Sequence, residues 1–246
     1  MPSIVTGGGR GIGAATARLA AARGYAVCLN YLQDRTAAEE VVRHITDRNG
    51  EAIAIQADVS SEADILSLFL QADSRLGRVS ALVNNAGTLE RQARLDSMDI
   101  SRMERIFRVN VVGSMLCGRE AVKRMSTRYG GDGGAIVNVS SGAAKYGSPG
   151  EYVDYAASKG AIETFTVGLA REVAEEGIRV NAVRPGFIYT EPHAKGGEPE
   201  RVERVKTSVP MQRGGQPEEV ASAILWLLSQ EASYVTGTIV DVSGGR

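Results

Sequence analysis

Short apolar runs alternate with stretches of helical periodicity along the whole chain, and this alternation limits the fold more than any other feature. Ile4-Val5-Thr6 is a strand, Ile12 to Arg23 a helix stopped by Gly24, and Tyr25 to Tyr31 a second strand. The unit repeats as helix Thr36 to Arg48, strand Ala52 to Ala57, helix Glu62 to Leu76 and strand Ala81 to Asn84. A long helix Ser101 to Thr127, strand Ala135 to Ser140, helix Tyr155 to Glu175 and strand Arg179 to Val183 follow. Helix Glu218 to Leu228 and strand Gly237 to Val242 complete the series. Strands separated by helices require crossovers, and right-handed crossovers on both faces give an α/β, doubly wound parallel sheet of about seven strands. The 246 residues suffice to bury roughly three quarters of the unfolded surface, so one domain over residues 1–246 is expected. Only the region from Gly186 to Val209 has no place in the alternation, which makes it the candidate substrate lid.

Between the first strand and the first helix, five of the seven positions from Gly7 to Gly13 are glycine. Such density costs backbone entropy, so the loop must turn with positive φ or let a ligand approach closely. Its position is where a dinucleotide pyrophosphate meets backbone N–H groups and the positive end of a helix dipole. Gly9-Arg10-Gly11-Ile12-Gly13-Ala14 satisfies G-x-G-x-x-A, while Gly7, Gly11 and Gly13 satisfy T-G-x-x-x-G-x-G. For the loop alone, a flexible glycine turn stays open.

Further along, Tyr155-Ala156-Ala157-Ser158-Lys159 sets a phenol and an ammonium on one helical face, the only Tyr-x-x-x-Lys in the chain. It follows a strand ending in Ser140 and Ser141, whose hydroxyls emerge at the carboxyl edge of the sheet, where open α/β folds bind ligands. A serine, a tyrosine and a lysine therefore converge where a nicotinamide held by the opening loop would point. Hydride addition to a carbonyl leaves an alkoxide that needs a proton, and a nearby ammonium favours the phenolate of a tyrosine that would otherwise titrate at about 10.

In order and spacing these motifs resemble the short-chain dehydrogenase/reductase family over essentially the whole chain. The resemblance also rests on Asp58-Val59, Asn84-Asn85-Ala86-Gly87, Asn110, Arg184-Pro185-Gly186 with Thr190, and Tyr234-Val235-Thr236-Gly237. It implies a Rossmann-type subunit, a nicotinamide cofactor and a catalytic tetrad of Asn110, Ser141, Tyr155 and Lys159. In that tetrad Ser141 meets the carbonyl oxygen, Lys159 also holds the nicotinamide ribose, and Asn110 holds a water linking Lys159 to solvent. Ser141 ranks ahead of Ser140 because the family's serine is the second of the pair. The expected cofactor contacts are Gly7, Arg10, Gly11, Ile12, Gly13, Asn30, Tyr31, Asp58, Val59, Asn84, Ala86, Gly87, Tyr155, Lys159, Pro185, Gly186, Ile188 and Thr190. Asp58 reads equally well as a helix cap, and Asn84 to Gly87 as a turn. The stretch from Ser141 to Tyr155 is one residue longer than the family's usual spacing, the extra residue falling within Pro149 to Asp154.

NAD-dependent members of the fold carry an acid at the end of the second strand, which would repel a 2′-phosphate. Tyr31 stands there, with no carboxylate before Asp34, and Arg10 faces the same pocket, so NADP(H) is the expected cofactor, with NAD(H) remaining open. The substrate reading is a small polar alcohol or carbonyl, as in the glucose and ribitol dehydrogenases, with a 3-oxoacyl (acyl-carrier-protein) reductase as the alternative. Glu175-Glu176 stand where that second branch tends to place an arginine, although Arg128 offers a basic contact for an acidic carrier. A third reading, a non-catalytic cofactor sensor, conflicts with the presence of both Tyr155 and Lys159. The net charge of −1 argues against nucleic-acid and membrane partners. Cys28 and Cys117 lie in apolar runs and read as core thiols of a cytoplasmic protein. His44 and His193 read as solvated, with no metal site. Apolar Ile106, Val109, Val112 and Met115 exceed what one sheet contact buries, and together with the resemblance they point to a homotetramer.

Overall fold

The computed structural model describes residues 1–190, 198 and 200–246. Seven parallel strands form one sheet in the order 3-2-1-4-5-6-7: β1 Pro2–Val5, β2 Ala26–Tyr31, β3 Ala52–Gln56, β4 Ala81–Asn84, β5 Gly134–Val139, β6 Ile178–Pro185 and β7 Ile239–Val242. Because crossovers cover both faces, successive residues of each central strand enter opposite cores. Val5, Leu29, Val83, Val137 and Val183 join one core with α1 (Gly11–Ala22), α2 (Arg35–Thr46) and a C-terminal helix, Pro217–Leu228. Ile4, Cys28, Leu82, Ile136 and Val180 join the other, with α3 (Glu62–Leu76) and further helices described next. Cys28 and Cys117 both belong to this second core, where burial pushes each thiol up to about 12.

The long helix expected from Ser101 to Thr127 is three segments. Helix α4 runs Ile100–Phe107, a π-helical turn Arg108–Gly113, and α5 Ser114–Met125. The widened turn brings Gly113 against the backbone of β3's exit, where a Cβ would lie 2.5 Å from the Val59 carbonyl oxygen. Ile106 is therefore wholly buried, whereas Met115 is exposed and Val109 and Val112 are half-buried. Beyond β5 come a single-turn α6, Ala143–Tyr146, and the long α7, Val153–Val173. A short α8, Arg201–Val205, falls inside the expected lid, and α9 is Pro217–Leu228. Residues 191–197 and 199 of that lid, His193 included, lie outside the described residues.

The order of strands reverses between β1 and β4, so the chain leaves these neighbours in opposite directions and a crevice opens at their carboxyl ends. Polar side chains set in the apolar strands run inward from that crevice. Asn84 and Asn138 stand opposite each other in the β4–β5 register, the Asn84 amide donating to Asn138 Oδ1 at 2.9 Å. Asn138 donates in turn to Thr166 Oγ1 of α7 at 2.9 Å. This chain ties the two strands to the helix that carries Tyr155 and Lys159.

Candidate active site

The glycine loop is built around contacts that a side chain would block. At Gly13 a Cβ would fall 2.3 Å from the Gly7 carbonyl oxygen, and at Gly7, where φ is +63°, it would fall 3.1 Å from Ala86 Cα. Thr6 and Asn85 lock this loop to the end of β4. Thr6 Oγ1 accepts from the N–H groups of Asn85 and Ala86 at 3.0 Å each, and the Asn85 amide donates to the carbonyls of Thr6 and Gly7 at 2.9 and 3.1 Å. The first-turn N–H groups of α1 at Gly11, Ile12 and Gly13 have no intrahelical partners, and they lie at the carboxyl edge of the sheet. This is a cradle for a pyrophosphate, and a dinucleotide fits the donor set.

Two expected cofactor contacts have a different place. Asn30 is buried and its side chain is used up: Oδ1 accepts from Gly7 N at 2.7 Å and Nδ2 donates to Ala57 O at 2.7 Å. Asn84 is buried too, donating to Ser114 O and Asn138 rather than facing the crevice. Both side chains are turned inward for one reason: a polar side chain at a strand's end points into a covered sheet face on every second residue. Asn85, quoted within its motif but given no role, is the residue that touches the loop. Asp58 turns one carboxylate oxygen onto Ser60 N at 2.8 Å, while the cap of α3 is Ser61, so the helix-cap reading of Asp58 does not hold. Val59 is buried beside it.

The remaining contacts gather along the same edge. Tyr31 is half-buried at the end of β2, Arg10 is exposed at the N-terminus of α1, and Asp34 caps α2 through Ala37 N at 3.0 Å. The segment after β6 spans the sheet edge: the Pro185 carbonyl accepts from Gly142 N at 2.8 Å, Gly186 packs on Ser243, and Ile188 bridges to Gly215. Its Thr190 methyl would meet a Cβ on Gly11 at 3.3 Å, so the glycine loop and this segment close on each other.

The two serines separate cleanly. Ser140 is buried, its hydroxyl donating to Glu163 Oε1 at 2.7 Å. Ser141 accepts from Ala143 N at 3.2 Å and stands beside the Tyr155 phenol. Burial pushes that phenol above the ordinary tyrosine value, and the Ser141 hydroxyl pulls it the other way. Lys159 is buried, donates to the Val139 carbonyl at 2.8 Å, and has its Nζ 5.6 Å from the Tyr155 ring centroid. Burial brings the amine down to about 8.

Asn110 lies in the π turn, fully buried. Its amide donates to Thr88 O at 3.1 Å and to Ser158 Oγ at 3.0 Å, while Oδ1 accepts from Thr88 N at 2.7 Å. Ser158 donates to the Tyr155 carbonyl at 2.7 Å, so Asn110 pins the loop after Gly87 to the turn of α7 that carries Tyr155. With both amide protons given away, any water it holds must bind the remaining acceptor capacity of Oδ1. Gly87 completes the group: a Cβ there would sit 3.3 Å from Asn110 Oδ1 and 3.5 Å from Lys159 Nζ.

The depressed Lys159 amine has a measurable consequence. Between about pH 8 and its ordinary value of 10.5 the unfolded chain binds a proton there that the folded chain does not, so stability rises with pH over that window. Below about pH 8 the cost of the buried charge is fully present. Against Lys159→Met, which cannot titrate, parent stability should therefore gain up to about 3 kcal/mol from pH 7.5 to 10.5 in urea melts. Parallel pH profiles would show that Lys159 keeps an ordinary amine.

Residues 7–246 match the family described as enoyl-(acyl carrier protein) reductase. The uncharacterized oxidoreductase YgfF of Escherichia coli (strain K12) is 59% identical over 244 residues, covering 99% of each chain. A 3-oxoacyl-[acyl-carrier-protein] reductase of Synechocystis sp. (strain ATCC 27184 / PCC 6803 / Kazusa) is 38% identical, covering 99% of this chain and 95% of its own. Glucose 1-dehydrogenase 2 of Bacillus subtilis (strain 168) is 37% identical, covering 99% and 93%. A solved structure of a short-chain dehydrogenase/reductase from Serratia marcescens BCRC 10948 superposes with a TM-score of 0.91 at 32% identity, covering 99% of this chain and 96% of that one. With the sheet order, the glycine cradle and the Ser141–Tyr155–Lys159 group, these matches establish that the chain belongs to the short-chain dehydrogenase/reductase family.

Proposed function

We propose that the protein is an NADP(H)-preferring oxidoreductase acting on a small polar alcohol or carbonyl compound of the sugar, polyol or hydroxy-ketone type. The observation that carries this reading is the pairing of the Ser141 and Tyr155 hydroxyls one helical turn from Lys159, at the sheet edge that holds the glycine cradle. The nicotinamide, held through the first turn of α1 and the 185–190 segment, would supply or accept the hydride. Ser141 donates to the carbonyl oxygen as negative charge grows on it. Tyr155 passes its proton to the resulting alkoxide, and in the reverse direction takes the alcohol proton. Lys159 offers its amine to the nicotinamide ribose and, when protonated, favours the phenolate. Asn110 keeps the turn of Tyr155 and the Thr88 backbone in register through Ser158.

A 3-oxoacyl-carrier reductase would use the same hydroxyls, and the Synechocystis relative bears that name. Against it, Arg128 lies 3.9 Å from Glu176, an acid at the place where a carrier would need bare positive charge. A sensor without catalysis would have no need of the apposed hydroxyls. Assayed with both cofactors against D-glucose, ribitol and acetoacetyl-coenzyme A, Tyr155→Phe should fold and bind cofactor yet lose about 10²–10⁴-fold in turnover. Near-normal turnover in that variant would refute the assigned chemistry, and preference for the thioester would select the carrier reading.

The cofactor preference rests on Tyr31 at the end of β2 and on Arg10, exposed at the N-terminus of α1 in a pocket that Arg18 and Glu40 also line, with Asp34 engaged as a helix cap and Glu39 paired to Arg35 at 2.6 Å. A charge-assisted bond from Arg10 to a 2′-phosphate is worth about tenfold to hundredfold in affinity. Titration should show NADPH bound more tightly than NADH by about that factor, and Arg10→Ala should erase most of the difference. An unchanged ratio would remove Arg10 from the recognition.

We also propose a homotetramer, supported by the exposed Phe107 and Met115 and the half-buried Val111 and Val112 on α4, the π turn and α5. Among the described residues no helix is long and apolar enough to cross a membrane, and the two buried free thiols fit a cytoplasmic protein. Light scattering should give about four times the chain mass of 26.1 kDa, and a monomer at micromolar concentration would contradict it.

A further inference from the structure

The five residues before and at the catalytic tyrosine, Glu151 to Tyr155, are held from two sides by arginines that neither the cofactor cradle nor the hydroxyl chemistry uses. From α4, Arg102 reaches Asp154 with two bonds, Nε to Oδ2 at 2.7 Å and Nη2 to Oδ1 at 3.3 Å. Both residues are buried. The same Asp154 Oδ1 accepts from the backbone N–H of Tyr155 at 2.9 Å, so the ion pair fixes the peptide that starts the Tyr155 turn. The third arm of Arg102, Nη1, donates to the Arg91 carbonyl at 2.6 Å, in the charged loop that follows Gly87.

From α8, Arg201 donates to Glu151 Oε2 and to Glu198 Oε2. It is 9% exposed, and its guanidinium lies 5.2 Å from the Tyr152 ring centroid and 5.7 Å from that of Phe187. The stack spans the post-β6 segment, α8 and the turn before α7. The loop after Gly87 is stitched into the same assembly, with Ala93 N donating to Glu151 O at 3.0 Å and the Gln92 amide to Glu198 Oε2 at 2.9 Å. Two acids thus stand three residues apart in the stretch that is one residue longer than the family's spacing, and each is met by a buried arginine from a different element.

We propose that Arg102 and Arg201 are positioning residues for Tyr155, and that docking of α8 on Glu151 sets the place of the phenol, so that α8 and the catalytic turn move as one element. The role assigned to Tyr155 rests on the function proposed above; the mechanical coupling does not. Asp154 is a buried charge, and one that loses its partner is not stable in place, so removal of Arg102 releases it and the turn with it. Removal of Arg201 leaves the part-exposed Glu151 only the longer contact to Arg204 at 3.9 Å and takes away the guanidinium packed on Tyr152, which loosens the same turn. A reacting group displaced by about 1 Å loses on the order of 10²-fold in rate.

The test compares the parent with Arg201→Met, Arg201→Lys and Asp154→Asn, the last being close to isosteric so that the fold is kept. Hydrogen exchange needs no substrate. Arg201→Met should raise exchange by about fivefold or more in peptides over residues 151–158 as well as in α8, and Asp154→Asn should do the same over residues 151–158. Exchange that rises in α8 alone overturns the coupling. In NADPH oxidation with ethyl acetoacetate as the probe, both neutral variants should lose about tenfold or more in kcat with KM changed by less than about twofold, and Arg201→Lys should recover part of the loss. A rise in KM with kcat intact would mean that Arg201 only shapes the substrate opening, and would overturn the positioning role. If Tyr155→Phe kept its activity, the catalytic reading would fail while the exchange result still decided the coupling.

Discussion

Everything at this site hangs on the crevice between β1 and β4 and on the small set of bonds that closes it from below. Parallel neighbours whose connections depart in opposite directions leave their carboxyl ends uncovered, and the exposed backbone must be satisfied. Thr6 and Asn85 do this across the crevice with five side-chain bonds to backbone, and Asn30 adds a sixth by accepting from Gly7 N. With the loop drawn so tightly over β4, Gly7 and Gly13 come within contact of neighbouring backbone. The glycines are consequences of the latch as much as of the ligand.

The fold was legible because strands covered on both faces read as short unbroken apolar runs, and their alternation with helices admits few topologies. The helix expected after β4 is present without a break from Ile100 to Met125, but the π turn inside it shifts the apolar positions over a single turn only, too short a stretch for periodicity to reveal. Gly113 of that turn packs on Val59, a contact from far earlier in the chain that no local window contains. Helix α8 and the single turn α6 were missed for a different reason: segments of five and four residues fall below the length at which helical spacing can be recognised.

At the site, residue types were easier to read than the direction of their side chains. Ser141, Tyr155 and Lys159 come together as the motifs required, but Asn30 and Asn84 turn inward, where they brace the loop and the strands. A signal did exist for Asn84: an asparagine inside an apolar strand, matched by Asn138 in the next, implies a buried pair across the ladder. Arg102 and Arg201 gave no such signal. Each sits in a polar segment where an arginine ordinarily faces water, and each is buried because an acid in the 151–154 stretch reaches it from a distant part of the chain.

That distribution bears on how such a site changes its substrate. The hydroxyls and the amine are set by α7 and by the end of β5, deep in the sheet, and tolerate little displacement. The rim is another matter: the loop after Gly87, the stretch before Tyr155 and α8 are joined by charged and aromatic side chains rather than by a shared apolar core. Paired charges hold geometry only while every partner stays in place, so one substitution in the rim shifts several of its members together. Through Asp154 and the Tyr155 peptide the shift reaches the phenol itself. On the coupling proposed above, specificity and turnover are physically linked through residues that never touch a substrate.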